Sequence, residues 1–491
     1  MTSQSINPRS GEPFGPVFED TSPTELDETV SASRAAWLMW AASPAQERAD
    51  ALEAVAQALD ADAESLARIA DAETGLGIAR LTGEVARATF QVRMFAQAVR
   101  DGSHLGVVID EPTAGDPPAA HPAIRRMLLP VGPVAVYGAS NFPFAFSVFG
   151  GDTVSALAAG CSVVAKAHPS HPQTCEAVAE IARAALAHVG APEGVFSMVR
   201  GFDAGVGLVQ HPLITAGAFT GSTGGGRALF DLASGRPEPI PFYGELGSVN
   251  PVVVSPEAAK RPGLAEAYVA SMCLGTGQFC TNPGLLFAPR STGLAQSIAS
   301  LIVDQPPGVL LNGTIAANID RHVEELAGAA GVETVRGEPR QPATGFTAAP
   351  VVMITGVAGA LSAPQLLTTE VFGPVAVVVE YDSPAEVLQL IDVLNGCLVS
   401  TIHAEDEEDL VPSLIVALSR ISGRIVWNGW PTGVAVTGAQ HHGGPYPAST
   451  NALHTSVGAT AMRRFQRPIA YQSMPTELLP PALHDDALAR P

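Results

Sequence analysis

The stretch Gly275-Thr-Gly-Gln-Phe-Cys280-Thr-Asn-Pro-Gly284 sets one thiol in a turn bracketed by glycines. Such glycines let a backbone approach a ligand closely, and the Thr281 hydroxyl and the N–H groups beside the sulfur could receive an oxyanion. The chemistry on offer is attack by a thiolate, which needs an ionisable helper elsewhere in the chain. Glu245, 35 residues upstream in Phe242-Tyr-Gly-Glu-Leu-Gly, is a carboxylate among apolar and glycine neighbours and is the candidate general base. On these residues alone a second reading stays open, because a single cysteine is often a small buried hydrophobe.

Positioning a thiol and a carboxylate takes a layered scaffold, and the sequence alternates accordingly. Residues 24–103 are Ala-rich with apolar positions at helical spacing, as in Val85-Ala-Arg-Ala-Thr-Phe-Gln-Val-Arg-Met-Phe95. Segments 105–110 and 124–129, either side of the turn Asp116-Pro-Pro-Ala-Ala-His-Pro122, are expected to pair as a hairpin. Strand and helix then alternate: strands 134–137, 162–165, 196–199 and 216–220, with helices over 148–159, 173–188 and 227–234, which predicts an α/β fold with a doubly wound parallel sheet. A second alternating region runs from Pro251 to about Asn428, with strands at 252–254, 285–288, 375–380, 399–403 and 424–428. The Pro- and acid-rich tail from Pro475 is expected to fray.

At 491 residues the chain exceeds what one core organises, so two domains and a small appended element are expected. Hydrophobic residues at 46% and charged residues at 15% fit a globular protein. No apolar run approaches the roughly 20 residues of a membrane span, and Met1-Thr-Ser-Gln-Ser-Ile carries no basic and apolar export signal. The five cysteines (161, 175, 273, 280, 397) form no CxxC pair, which fits free thiols and a cytoplasmic location. A formal charge of −21 argues against nucleic acid as partner, though a local basic pocket could still take an anionic substrate. His168 with His171, and His441 with His442, lack a third ligand at metal spacing, so no metal is expected and these read as loop or surface histidines. Cys273 reads as core.

A dinucleotide would sit where the first sheet's strands end, but no G-x-G-x-x-G stands there. Phe219-Thr-Gly-Ser-Thr-Gly-Gly-Gly-Arg227 instead follows a strand and opens a helix, the setting in which free N–H groups meet a pyrophosphate. Arg227 and Ala228 stand where a P-loop needs Lys and Ser or Thr, so a glycine-rich turn without a ligand is the competing reading.

Asn141-Phe-Pro-Phe, Phe219-Thr-Gly-Ser-Thr, Gly244-Glu-Leu-Gly, Gly277-Gln-Phe-Cys and Glu370-Val-Phe-Gly-Pro occur in that order, and together they resemble the aldehyde dehydrogenase superfamily over nearly the whole chain. Ala165-Lys-Ala-His-Pro-Ser-His-Pro172 and Asn428-Gly-Trp-Pro-Thr-Gly433 further resemble its branch of 2-oxoglutarate semialdehyde (2,5-dioxopentanoate) dehydrogenases, which also holds an NADP-dependent fatty aldehyde dehydrogenase. The resemblance implies that Cys280 attacks an aldehyde, that Asn141 and the Cys280 N–H hold the oxyanion, and that Glu245 activates the water that releases the acid. It assigns Lys166, Gly221, Ser222, Glu370 and Phe372 to the cofactor, with His168 as a possible helper. Phe142, Phe146 and Phe149 would line a substrate tunnel.

Where NAD-preferring relatives carry a carboxylate three residues after the lysine, this chain has Pro169, so NADP is favoured over NAD. Arg87, Arg93 and the Gly443-Gly444 turn are candidates for a substrate carboxylate. The implied architecture is a dinucleotide-binding domain over 1–103 and 131–245, a catalytic thiol domain over 246–445, and an oligomerisation element over 104–130 and 458–480 that makes a homodimer or homotetramer. The rival readings are a fatty aldehyde as substrate, or an inactive or esterase-like protein on the same fold.

Overall fold

The computed structural model describes residues 2–338 and 344–484. Five short strands form one parallel sheet in the order Phe196–Val199, Val163–Lys166, Val134–Tyr137, Ala216–Thr220, Phe242–Glu245. Side chains alternate across a strand, so a sheet covered on both faces needs apolar residues at every position. Val134 and Val136 accordingly enter a core shared with the helices Ala45–Ala61, Ile78–Arg100 and Pro172–His188. Ala135 and Tyr137 enter the opposite core, against Pro23–Ala42 and Phe202–Gln210. The first of these helices starts where Ser22 closes a capping box with Glu25 and proline occupies the first turn.

Seven strands form a second sheet in the order Glu333–Arg336, Val351–Gly356, Val375–Tyr381, Leu285–Pro289, Pro251–Val254, Cys397–His403, Ser422–Trp427. All neighbours run parallel except the first pair. Its two faces also carry separate cores, with Val253 and Phe287 on one side and Val252 and Leu286 on the other. The strands Glu333–Arg336, Val351–Gly356 and Phe242–Glu245 were not foreseen in the sequence. The first is a half-exposed edge with no apolar run, and the last is broken by glycine.

The expected hairpin forms as Val108–Asp110 against Ile124–Pro130, and Gln466–Gln472 adds a third antiparallel strand. Its first strand is shorter than expected because Ser103–Leu105 coils into a 3-10 turn between left-handed Gly102 and Gly106. An N-terminal hairpin, Thr2–Ile6 with Pro13–Glu19, was also not foreseen.

The expectation of a fraying tail is corrected over 475–484. Leu479 and Leu483 are buried with Met127 of the three-stranded sheet, and Arg125 Nη1 donates to the Leu483 carbonyl at 2.5 Å. Two leucines spaced to dock outweigh the polar composition around them. Residues 485–491 lie outside the described residues.

Candidate active site

The thiol loop is built from strained and tightly tied backbone. Gly275, Thr276 and Gly277 hold consecutive φ values of 56°, 58° and 66°, and the threonine is in a region that side chains other than glycine avoid. A Cβ on Gly277 would lie 2.2 Å from the Gly373 carbonyl oxygen, so only glycine fits against that strand connection. Gln278 is fully buried and fastens the turn: its Nε2 donates to the carbonyls of Gly275 and Val309, and its Oε1 accepts from the Leu311 N–H. Beyond the sulfur, Asn250 Nδ2 donates to the carbonyls of Cys280 (2.8 Å) and Asn282 (2.9 Å). Cys280 therefore sits half-buried on a backbone pinned on both sides.

Asn141 reaches the same loop from the other sheet. Its Nδ2 donates to the Gln278 carbonyl at 2.9 Å. A carboxamide nitrogen carries two protons, and this bond orients the group while leaving the second donor for a ligand. The Asn141 segment is held from the helix Ile78–Arg100: Arg80 Nη2 donates to the Asn141 carbonyl at 2.8 Å, and Glu84 Oε1 accepts the N–H groups of Phe144 and Ala145. Phe142 packs edge-on against Phe146 and Phe279, each at 5.5 Å between centroids, and makes an aromatic wall beside the thiol.

Phe149 does not join that wall, contrary to the expected tunnel residue. It is 2% exposed and packs edge-on against Phe196 in the core of the five-stranded sheet. Helical spacing would have put 142, 146 and 149 on one face, but this segment is a series of turns and the helix begins only at Gly151.

Two carboxylates approach the sulfur. Glu245 ends its strand, and its Oε2 is buried with no hydrogen-bond partner among the described residues. Burial holds its pKa well above the usual carboxylate value, with Arg464 opposing and Asp152 reinforcing the shift. Glu370 is pushed up to about 7 by burial, against the Ser248 N–H. A Cβ on Gly247 would meet Glu370 Oε2 at 2.3 Å and Thr223 Oγ1 at 2.8 Å, so a side chain there would displace the Glu370 carboxyl. Ser248, Gly277, Asn282, Glu370 and Phe372 line one small cavity beside the thiol loop. Burial first, then the charges of Glu245 and Glu370, push the Cys280 thiol up to about 12, and Arg87 pulls the other way.

His442 corrects the sequence reading, which took it for a loop or surface histidine. It is 4% exposed, and its Nε2 lies 3.6 Å from Cys280 Sγ. Burial and the cations Arg424 and Arg87 hold its pKa down at about 3, so the ring beside the thiol is neutral. Ligand spacing along the chain does not reveal it, because its partner is a sulfur 162 residues away. Cys273 is half-buried against the second sheet's core, as expected.

Of the residues expected to hold a cofactor, Lys166, His168, Gly221 and Ser222 lie at or just beyond the ends of the first sheet's strands, while Glu370 and Phe372 line the cavity beside the thiol loop. Lys166 ends Val163–Lys166, paired in register with Val199, so Arg200 follows beside it. Sequence reading missed Arg200, which is tied to Glu176 and lies over the Phe18 ring. Ser222 caps the helix Thr223–Ser234 by accepting the Gly225 N–H, and Gly224 faces open space. Gly221 donates its N–H to the Glu245 carbonyl, which ties this turn to the candidate base. His168 Nδ1 accepts the Ser170 N–H within its turn and its ring stacks on His171. Burial with the neighbouring His171 and Lys166 keeps that ring well below its ordinary pKa, hence uncharged. Arg227 lies on the exposed face of its helix and pairs with Asp231. Free N–H groups at a capped helix start, a lysine at a strand end and a buried carboxyl on a cavity suit a dinucleotide.

A profile of the aldehyde dehydrogenase family matches residues 1–464. The chain is 41% identical over 491 residues to an alpha-ketoglutaric semialdehyde dehydrogenase of Acinetobacter baylyi, covering 99% of this chain and 93% of that one. It is 42% identical over 494 residues to alpha-ketoglutaric semialdehyde dehydrogenase 2 of Azospirillum brasilense, covering 99% and 94%. Among solved structures, 3,6-anhydro-L-galactose dehydrogenase in complex with NAP superposes with a TM-score of 0.81 at 21% identity, over 96% of each chain.

Proposed function

Since the chain belongs to the aldehyde dehydrogenase family, we propose that it oxidises 2,5-dioxopentanoate to 2-oxoglutarate, with a nicotinamide dinucleotide as oxidant. The observation that carries the reading is the convergence of Cys280, Asn141, Glu245 and His442 from separate elements on one half-buried sulfur, together with two nearly full-length relatives named for that substrate.

Cys280 Sγ attacks the aldehyde carbon, aimed by its contact with His442 Nε2, and the thiol proton passes to solvent. The second N–H of Asn141 Nδ2 and the Cys280 N–H take the oxyanion of the thiohemiacetal. Lys166, Ser222 with Gly221, and Glu370 with Phe372 would hold the dinucleotide, which supplies the hydride acceptor that turns the thiohemiacetal into a thioester. The unpartnered Glu245 Oε2 then takes a proton from water, which attacks the thioester and frees the acid and the thiol. The balance is one aldehyde, one water and one oxidised cofactor giving one acid, one reduced cofactor and a proton.

NADP is the favoured form: no carboxylate stands at Pro169 to repel a 2′-phosphate, and Lys166 and Arg200 place two cations at adjacent strand ends. The three-stranded sheet of Val108–Asp110, Ile124–Pro130 and Gln466–Gln472 is assigned to self-assembly, because among the described residues both outer strands are unpaired on one side. Catalytic efficiencies for 2,5-dioxopentanoate, hexanal and decanal, each with NAD and NADP, test the reading. The semialdehyde is expected to lead by at least tenfold, and a clear lead for the uncharged chains would transfer the assignment to fatty aldehydes.

A further inference from the structure

Two arginines near the thiol form no ion pair among the described residues. Arg87 comes from the helix Ile78–Arg100 and Arg424 from the edge strand Ser422–Trp427 of the other sheet. They meet on one turn: Arg87 Nη2 donates to the Val434 carbonyl at 3.3 Å, while Arg424 donates from Nη1 to Gly433 (3.0 Å) and from Nη2 to Pro431 (2.7 Å). Among the described residues neither forms an ion pair, and Arg87 Nη1 is buried with no hydrogen-bond partner at all. The nearest carboxylate on Arg87's own helix, Glu84, directs Oε1 at the N–H groups of Phe144 and Ala145.

A contact path joins the pair to the nucleophile. The Arg87 guanidinium lies 5.3 Å over the Phe146 ring, that ring is 6.3 Å from His442, and His442 Nε2 is 3.6 Å from Cys280 Sγ. Burial depresses the pKa of both guanidiniums; Glu84 and then Cys280 oppose the shift at Arg87, and Cys280 opposes it at Arg424. The neighbouring cations have other work. Arg93 is tied to Glu53 and Asp60, and Arg80 lies between the Phe142 and Phe279 rings with Nη2 on Asn141.

Two partly buried guanidiniums without an ion-pair partner favour an incoming anion, and a planar fork with a free buried donor is shaped for a carboxylate. We propose that Arg87 and Arg424 are the specificity determinants of this site, binding the carboxylate of the dioxo acid while its aldehyde carbon meets Cys280. This rests on the semialdehyde reading above and adds to it the residues that select an acid-bearing substrate. Arg87 supplies the free donor, and Arg424 supplies charge from the opposite sheet.

The test is the ratio of kcat/KM for 2,5-dioxopentanoate to that for pentanal, in wild type and in Arg87→Met and Arg424→Met. Truncating one partner of a buried hydrogen-bonded charge pair is expected to lower that ratio by roughly 30-fold or more, chiefly through KM, with part of it regained in Arg87→Lys. A ratio within threefold of wild type in both methionine variants, in an enzyme that does prefer the semialdehyde, overturns this inference and leaves the substrate reading standing. A wild type that prefers pentanal sinks the substrate reading itself, and this inference with it. Wild-type protein gives a second measurement that needs no variant to fold: glutarate should compete with the semialdehyde while 1,5-pentanediol at the same concentration does not. Equal inhibition by the two would remove the case for a cationic end.

Discussion

At the scale of single residues the site depends on groups held away from their ordinary ionisation. Glu245 is raised well above the usual carboxylate value by burial, so it carries a proton at low pH and becomes a base only as pH rises. Deacylation should therefore speed up toward alkaline pH. Glu245→Gln should release one equivalent of reduced cofactor and then stall, which rapid mixing would record; steady turnover at the wild-type rate would remove Glu245 from that step. His442 acts by aiming the sulfur rather than by storing its proton, because its ring is held neutral. His442→Phe should slow the burst by about 100-fold, the scale of a small misplacement of reacting groups, without changing cofactor affinity. An unaltered burst would leave His442 a packing residue. Pro169→Glu should penalise NADP selectively by repelling its 2′-phosphate, and an unchanged NADP/NAD ratio of efficiencies would place discrimination elsewhere.

One scale up, the elements matter because the catalytic side chains hang from loops that helices and strands must brace. Glu84, in the middle of the helix Ile78–Arg100, receives two N–H groups of the segment that carries Asn141. Its pKa is raised from 4.5 to about 7, by burial against those hydrogen bonds and the charges of Arg80 and Arg87. A carboxyl raised on folding stabilises most below its unfolded pKa and loses that contribution as pH climbs through the folded one. Between pH 4.5 and about 7 the wild type should accordingly lose stability relative to Glu84→Gln, as followed by denaturant unfolding. Glu84→Ala leaves two buried donors unmet and should cost about 2–5 kcal/mol, with kcat falling as Asn141 loosens. If Ala and Gln behave alike in both stability and kcat, the brace is not at Glu84.

For the whole molecule, the chain crosses between sheets at the chemistry. Glu245 ends the last strand of the five-stranded sheet, the next strand, Pro251–Val254, already lies in the seven-stranded one, and Cys280 stands just before its neighbour Leu285–Pro289. The third sheet is closed on one face by the tail, where Leu479 and Leu483 cover Met127. Ending the chain after Met474 removes two buried leucines, each worth about 1.5–3 kcal/mol, and exposes apolar surface on the sheet assigned to self-assembly. Hydrogen exchange should rise over Ile124–Pro130, and light scattering should report a smaller or more heterogeneous assembly. Unchanged exchange there would show that the tail is not a cover.

The sequence by itself determined the class of chemistry and of fold. Period-two and period-three-to-four apolar patterns record burial on each face of an element, and the motifs around Asn141, Glu245, Cys280 and Glu370 stand in contiguous stretches whose residue types carry their own meaning. It also pointed to the hairpin and, through the resemblance, grouped it with residues 458–480, which hold the strand that completes the third sheet. What only the tertiary structure decided are the relations between distant segments. Phe149 left the tunnel for the core because turns, not a helix, carry residues 142–150. Arg87 was separated from Arg93 by which one found carboxylates. His442 and Arg424 lie near the thiol because the edge strand of the seven-stranded sheet and the loop after it pack there. Periodicity reports how deeply a residue is buried, and only the packing of elements remote in sequence selects the neighbour it is buried against.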